Sequence, residues 1–152
     1  MRDSMLGRID GEGDVRMAVT LSPAMQTLVN EVFPVVVGTT RRDGTVHMAL
    51  AWFEYRDGFF WLNSFQGSDW MAQAQRDKAV TLLLQDPKDM FRYAEVQGNL
   101  VEATTEGADE HINRLSLRYT GNPIYQRRRP GMQQRVILKI EPTRIKSMLD
   151  RG

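Results

Sequence analysis

Residues Val46 to Tyr55 limit most strongly what this chain can become. Written as an extended strand, one face carries Val46, Met48, Leu50 and Trp52, and the other carries Ala49, Ala51, Phe53 and Tyr55. A strand with one wet face alternates apolar with polar side chains. This one is apolar on both faces, so both sides are expected to be covered, by a helix, a second subunit or a flat ligand. A second copy is the favoured cover, because isologous two-fold pairs are the commonest oligomers.

The segments around it read as its partners. Val35 to Thr40 is short and β-branched, Asp43-Gly44 marks a turn, and Asp57-Gly58 marks another before a third strand, Phe59 to Asn63. These make an antiparallel meander. Ala79 to Gln85 predicts a fourth strand and Tyr93 to Ala103 a fifth, with Gly98 inside it at a bulge or bend. Arg135 to Ile140 predicts the last, with Val136, Leu138 and Ile140 facing in, Arg135 and Lys139 facing out, and a polar tail from Glu141-Pro142. Ser22-Pro23 opens a helix with Met25, Leu28, Val29 and Val32 on one face, ending before Pro34. Ser68 or Asp69 caps a short helix to about Asp77, and Ala108 to Tyr119 is a third helix, stopped by Thr120-Gly121 and Pro123. Residues 1–18, rich in Gly and charge, read as a flexible arm before one domain spanning 19–152. Six short strands and peripheral helices predict a mainly β fold, a small barrel.

Composition removes whole classes of function. The 152 residues hold no Cys, and His47 and His111 are the only imidazoles, which excludes thiolate zinc sites and Cys nucleophiles. Lys and Arg number 20 against 19 Asp and Glu, a balance that argues against a dedicated nucleic-acid binder. No apolar run approaches the ~20 residues of a membrane span, and charged residues interrupt the first 16 positions, so a cytoplasmic protein is expected. There is no dinucleotide fingerprint, phosphate-binding P-loop, paired-His metal motif or nucleophile elbow. If the chain is an enzyme, its chemistry belongs to a bound cofactor. His47 reads first as a half-buried barrel residue and His111 as a solvated one on a polar helix. Arg127-Arg128-Arg129 reads either as a solvated loop or as a clamp on an anionic ligand tail. The chain is mildly rich in aromatics and Met, and Met48, Trp52, Phe53, Phe65, Trp70 and Met71 gather around the second strand and the loop after the third.

The order of motifs from Phe59 to Val80 (strand, polar loop, helix, Arg76-Asp77, apolar strand), with Val37-Gly38-Thr39-Thr40, Asp43-Gly44 and Trp52, resembles a known family. It is the flavin- and deazaflavin-binding split β-barrel family related to pyridoxamine-phosphate oxidase. Arg118-Tyr119-Thr120-Gly121 with Tyr125, then Arg135 to Pro142, is similar to the actinobacterial branch that uses the deazaflavin coenzyme F420. The resemblance covers about residues 20–148 and implies a homodimer of six-stranded antiparallel split barrels with cofactor in grooves at the subunit interface. It implies hydride transfer from reduced coenzyme F420 to a small conjugated substrate, with flavin mononucleotide as the alternative cofactor. A non-enzymatic binding protein for a flat ligand such as a tetrapyrrole is the reading from another class.

The ring system would lie along the second and third strands, near His47 and Ala49. The phosphate would lie at the loop and helix that follow, at Asn63, Ser64, Gln66, Gly67, Ser68, Trp70 and Gln73. Gly67 allows close backbone approach, and a helix N-terminus favours an anion. His47 or Tyr125 can donate a proton or hydrogen bond to substrate. The chain departs from the family at this helix, which usually opens with two basic residues in a pattern like Arg-x-Lys-x-x-Asn-Leu-x-Arg-Asp-Pro; Ser68 and Trp70 stand at those two positions, followed by Gln73, Ala74, Arg76, Asp77 and Lys78. Either Arg127, Arg128 and Arg129 or Lys88 hold the phosphate, or the ligand differs.

Overall fold

The computed structural model describes residues 7–9, 15–17, 19–127 and 134–149. Within the segment expected to be an arm, β1 (Gly7–Ile9) and β2 (Val15–Met17) form a short antiparallel ladder. The rest is α1 (Pro23–Val29), β3 (Val35–Thr40), β4 (Val46–Ala51), β5 (Phe53–Arg56), β6 (Phe59–Phe65), α2 (Asp69–Asp77), β7 (Ala79–Gln85), β8 (Tyr93–Thr104), α3 (Ala108–Thr120) and β9 (Arg135–Ser147). Strands β3 to β9 make one antiparallel sheet in the order β4-β3-β7-β8-β9-β6-β5, curled into a half-barrel. No helix among the described residues is long and apolar enough to cross a membrane.

Seven strands stand where six were expected, because the long second strand is two. Val46 to Ala51 pairs with β3, while Phe53 to Arg56 pairs with β6. Trp52 lies between them and belongs to neither ladder. The two edges of the sheet are therefore consecutive in the chain, and the barrel is split at one tryptophan. Tyr119 of α3 secures the switch. Its ring stacks on Trp52, with centroids 5.0 Å apart. Its hydroxyl accepts from the Phe53 N–H at 3.1 Å and donates to the Phe33 carbonyl at 2.6 Å. Backbone groups without a ladder partner must be paired elsewhere, and this one phenol bonds the backbone on both sides of the break. Burial also raises the Tyr119 pKa above its ordinary value.

A turn and a bulge were legible in advance. Asp57 and Gly58 both have positive φ, 55° and 85°, as a primed hairpin turn requires. The ladder of β8 with β9 shifts register between Gln97 and Gly98, where Gly98 lies opposite Pro142. Proline has no N–H for a ladder and is tolerated at such an irregularity. The expected polar tail is thus a correction: β9 passes through Pro142 to Ser147, pairing first with β6 and then with β8.

The core is filled by Phe53, Phe60, Leu62, Leu82, Leu84, Val96, Leu138 and Ile140, all fully buried. Helix α1 adds Met25, Leu28 and Val29, capped at Ser22, whose hydroxyl accepts from the Met25 N–H. Val32, expected on that face, lies beyond the helix and is exposed. Helix α2 adds Trp70, Met71 and Ala74. Phe53 and Met71 accordingly belong to the core rather than to a surface seam. The outer face of β4 is the reverse case: Val46, Met48 and Leu50 are 63%, 65% and 70% exposed.

Candidate functional site

The break at Trp52 opens a groove. About 610 Å³ in volume, it runs along the end of β4 (Leu50, Ala51), past Trp52, and over Asn63, Ser64 and Phe65 of β6. Trp70 of α2, Ile112 of α3, Tyr125, Arg127 and Arg135 complete it together with Pro34. Tyr125 stands edge-on to Trp52 at 5.9 Å. Four aromatic side chains thus meet two arginines, a lining suited to a flat ring system carrying negative charge.

Of the residues singled out from sequence, the structure brings Asn63, Ser64, Trp70 and Arg127 together here. Arg128 and Arg129 lie outside the described residues. Lys88 sits in the turn between β7 and β8, with Asp86 accepting from its backbone N–H, and is not among the groove's lining. His47 and Gln73 form a second cluster: Gln73 Oε1 lies 3.0 Å from His47 Nδ1 and accepts from the Thr39 hydroxyl at 2.7 Å. Strand periodicity puts His47, Ala49 and Ala51 on one face of β4; Ala49 and Ala51 pack against the core there, and only Ala51 of the three reaches the described lining of the groove. Gln66 and Gly67 form the exposed turn after β6, where Gly67 takes φ +95° and the Ser68 N–H reaches the Phe65 carbonyl. Ser68 is buried at the N-terminus of α2 but its hydroxyl makes no capping bond.

Three features escaped the sequence reading. Arg135, expected to face out, is 6% exposed, because α3 covers that side of β9. Its Nε donates to Asn63 Oδ1 at 2.7 Å, and Tyr125 lies 5.3 Å from its guanidinium carbon. His111, expected to be solvated, is 1% exposed. Its Nδ1 lies 3.0 Å from Asn63 Nδ2, which also donates to the Ala108 carbonyl. Asn63 Oδ1 must accept from arginine, so Nδ2 donates to His111, and His111 holds its proton on Nε2. Burial lowers the His111 pKa to about 4, with Glu54 opposing the shift from 3.9 Å. Burial pushes the Glu54 carboxyl up, but the Arg114 hydrogen bonds outweigh it and leave its pKa below the ordinary value. Third, Arg41 and Arg42 on the β3–β4 turn line a separate depression of about 390 Å³ with Asp69, Gln73 and Arg76 of α2. The adjacent arginines before Asp43-Gly44 were the signal for it. They bring to the flank of α2 the positive charge that its first turn lacks.

The family model for pyridoxamine 5'-phosphate oxidase matches residues 21–149. The chain belongs to this family. Solved structures repeat the fold: an F420 reductase superposes with a TM-score of 0.73 at 21% identity, covering 83% of this chain and 98% of its own. A conserved hypothetical protein of Mycobacterium tuberculosis matches with a TM-score of 0.66 at 26% identity, covering 90% of this chain and 89% of that one. General Stress Protein 26 of Bacillus anthracis matches with a TM-score of 0.59 at 22% identity, over 82% and 90%. No curated protein matches the chain.

Proposed function

We propose that this family member is an oxidoreductase that transfers a hydride from reduced coenzyme F420 to a small conjugated substrate, such as a secondary-metabolite intermediate bearing a conjugated carbonyl. The supporting observation is the aromatic, arginine-bearing groove between the end of β4 and β6, the two strands along which the family resemblance places the cofactor ring. Its volume and lining fit a tricyclic ring with an anionic tail, and the likeness to an F420 reductase points to the same cofactor. Bound reduced F420 supplies the hydride. The chain's own residues then do three things. Trp52 and Trp70 would wall the ring and exclude water, which strengthens every polar contact in the groove. Arg127, on the groove wall, would hold negative charge on the cofactor tail, with Arg128 and Arg129 next to it in sequence. Tyr125, also on the groove wall, would offer its hydroxyl to the substrate carbonyl, polarising the conjugated bond, which takes the hydride at one carbon and a proton from solvent at the next. His47 is engaged with Gln73 and lies off the groove lining, so it is the weaker candidate for that role.

The same reading makes the protein a homodimer. The exposed Val46, Met48 and Leu50 form an apolar stripe on an edge strand beside the groove, the kind of surface a second copy covers. Purified protein with reduced F420 and a panel of conjugated enones is expected to restore the oxidised cofactor's absorbance, in step with loss of the enone. Transfer from reduced flavin mononucleotide but not from F420 would move the assignment to the flavin. Tight haem binding with no transfer from either would favour a tetrapyrrole carrier.

A further inference from the structure

We propose that the groove reads the negative charge of a flat aromatic ligand through Arg135, which Asn63 holds in place. This rests on the reading of the groove as the ligand site, but not on which cofactor occupies it. The family resemblance puts the anion at the loop and the start of α2, where this chain lacks basic residues. The structure offers a buried cation elsewhere, at the start of β9, inside the aromatic part of the groove.

Three observations make Arg135 a built feature. Its Nε is anchored by Asn63 Oδ1 at 2.7 Å. The Asn63 amide cannot turn over, since its Nδ2 is committed to Ala108 and His111 from α3. The Tyr125 ring, 5.3 Å from the guanidinium carbon, constrains the guanidinium from a second direction. A guanidinium anchored through its Nε has a defined orientation, and its planar shape matches a carboxylate, phosphate or sulfonate. The groove's lining supports the same sign of charge: among the described residues, its twelve members include Arg127 and Arg135 and no Asp or Glu. With Trp52, Phe65, Trp70 and Tyr125 supplying apolar walls, the matching ligand is a planar aromatic anion whose acidic group lies close to its ring. That group belongs either to the cofactor or to the substrate.

The test compares two probes of one shape: 1-anilinonaphthalene-8-sulfonate and the uncharged N-phenyl-1-naphthylamine, each followed by energy transfer from the groove tryptophans. The wild-type protein is expected to prefer the sulfonate by at least about tenfold, the scale of a charge-assisted contact. Arg135→Gln is expected to lose that preference while binding the uncharged probe as before, which also reports that the variant is folded. Arg135→Lys keeps the charge but not the fork or the Nε donor, and most of the preference is expected to go. Asn63→Asp sets a carboxylate against the guanidinium, and sulfonate binding should fall while the uncharged probe is unaffected. An Arg135→Gln protein that still prefers the sulfonate by the wild-type factor would overturn the proposal.

Titration with F420 and with its phosphate-free chromophore locates the acidic group. Weakened F420 with unchanged chromophore places it on the cofactor. Both unchanged, with the sulfonate weakened, places it on the substrate. Failure of wild-type protein to bind F420 would sink the hydride-transfer reading and leave the probe contrast standing on its own.

Discussion

Lowering the pH from 7 to 4 is expected to remove roughly 3 kcal/mol of stability through His111 alone. Burial holds the folded-state pKa at about 4, while an unfolded histidine titrates near the ordinary 6.5. Between those values the unfolded chain binds a proton that the folded chain refuses. The stabilisation is therefore complete above about pH 6.5, declines as the pH falls, and levels off near pH 4. The structural cost of protonation is specific. A proton on Nδ1 would face the Asn63 Nδ2 donor 3.0 Å away, and turning the amide to accept it would abandon Arg135 and Ala108. Denaturant unfolding of the wild type and of His111→Gln across pH 4 to 7 isolates this contribution. The wild-type slope should exceed the variant's by about 1.4 kcal/mol per pH unit in that window. Parallel curves would mean that His111 does not titrate as its burial dictates.

The second large effect is expected at Gly98. A Cβ added there would stand 2.7 Å from both the Glu141 carbonyl oxygen and Ile140 Cγ2. A strand carbonyl cannot yield as a flexible side-chain tip can, and Gly98 lies beside the register shift that admits Pro142. Gly98→Val is expected to cost about 3 kcal/mol or more, read as a lower midpoint in urea. Gly38→Ala is the matching control. Its nearest neighbour would be the Thr81 carbonyl at 3.5 Å, ordinary contact, so it should be neutral or stabilise by up to about 1 kcal/mol. Equal losses at the two glycines would contradict the claim that close approach to the Glu141 carbonyl governs Gly98.

These residues also mark how far the sequence could be read. Local chemistry carried most of the fold. Asp57-Gly58 announced its hairpin, Gly98 its bulge, and the apolar run Ala79 to Gln85 its strand to the residue. What depended on distant partners was invisible. Nothing in the composition of Val46 to Tyr55 records that the chain changes partners at Trp52, because both halves remain extended and apolar. The phenol that secures the break comes from Tyr119, 66 positions away. Arg135 obeys the in–out alternation of its strand, and only the docking of α3 turns its outer side into an interior. His111 looked solvated because its neighbours Asp109, Glu110 and Arg114 are polar, yet the helix buries a face of Ala108, His111, Ile112 and Leu115. The site followed the same division. Asn63, Ser64, Trp70 and Arg127 were legible as polar or aromatic residues at the end of a strand, at the start of the helix after it and in a late basic loop, whereas the buried cation beside them was not.

The central claim is that the groove at Trp52 holds a deazaflavin ring. An equilibrium titration of the protein with oxidised F420, following tryptophan quenching, tests it most directly. The account predicts saturation at one cofactor per protomer, a Kd below about 100 μM, and tighter binding than flavin mononucleotide or haem. Absence of saturable quenching by F420 in that range would contradict it.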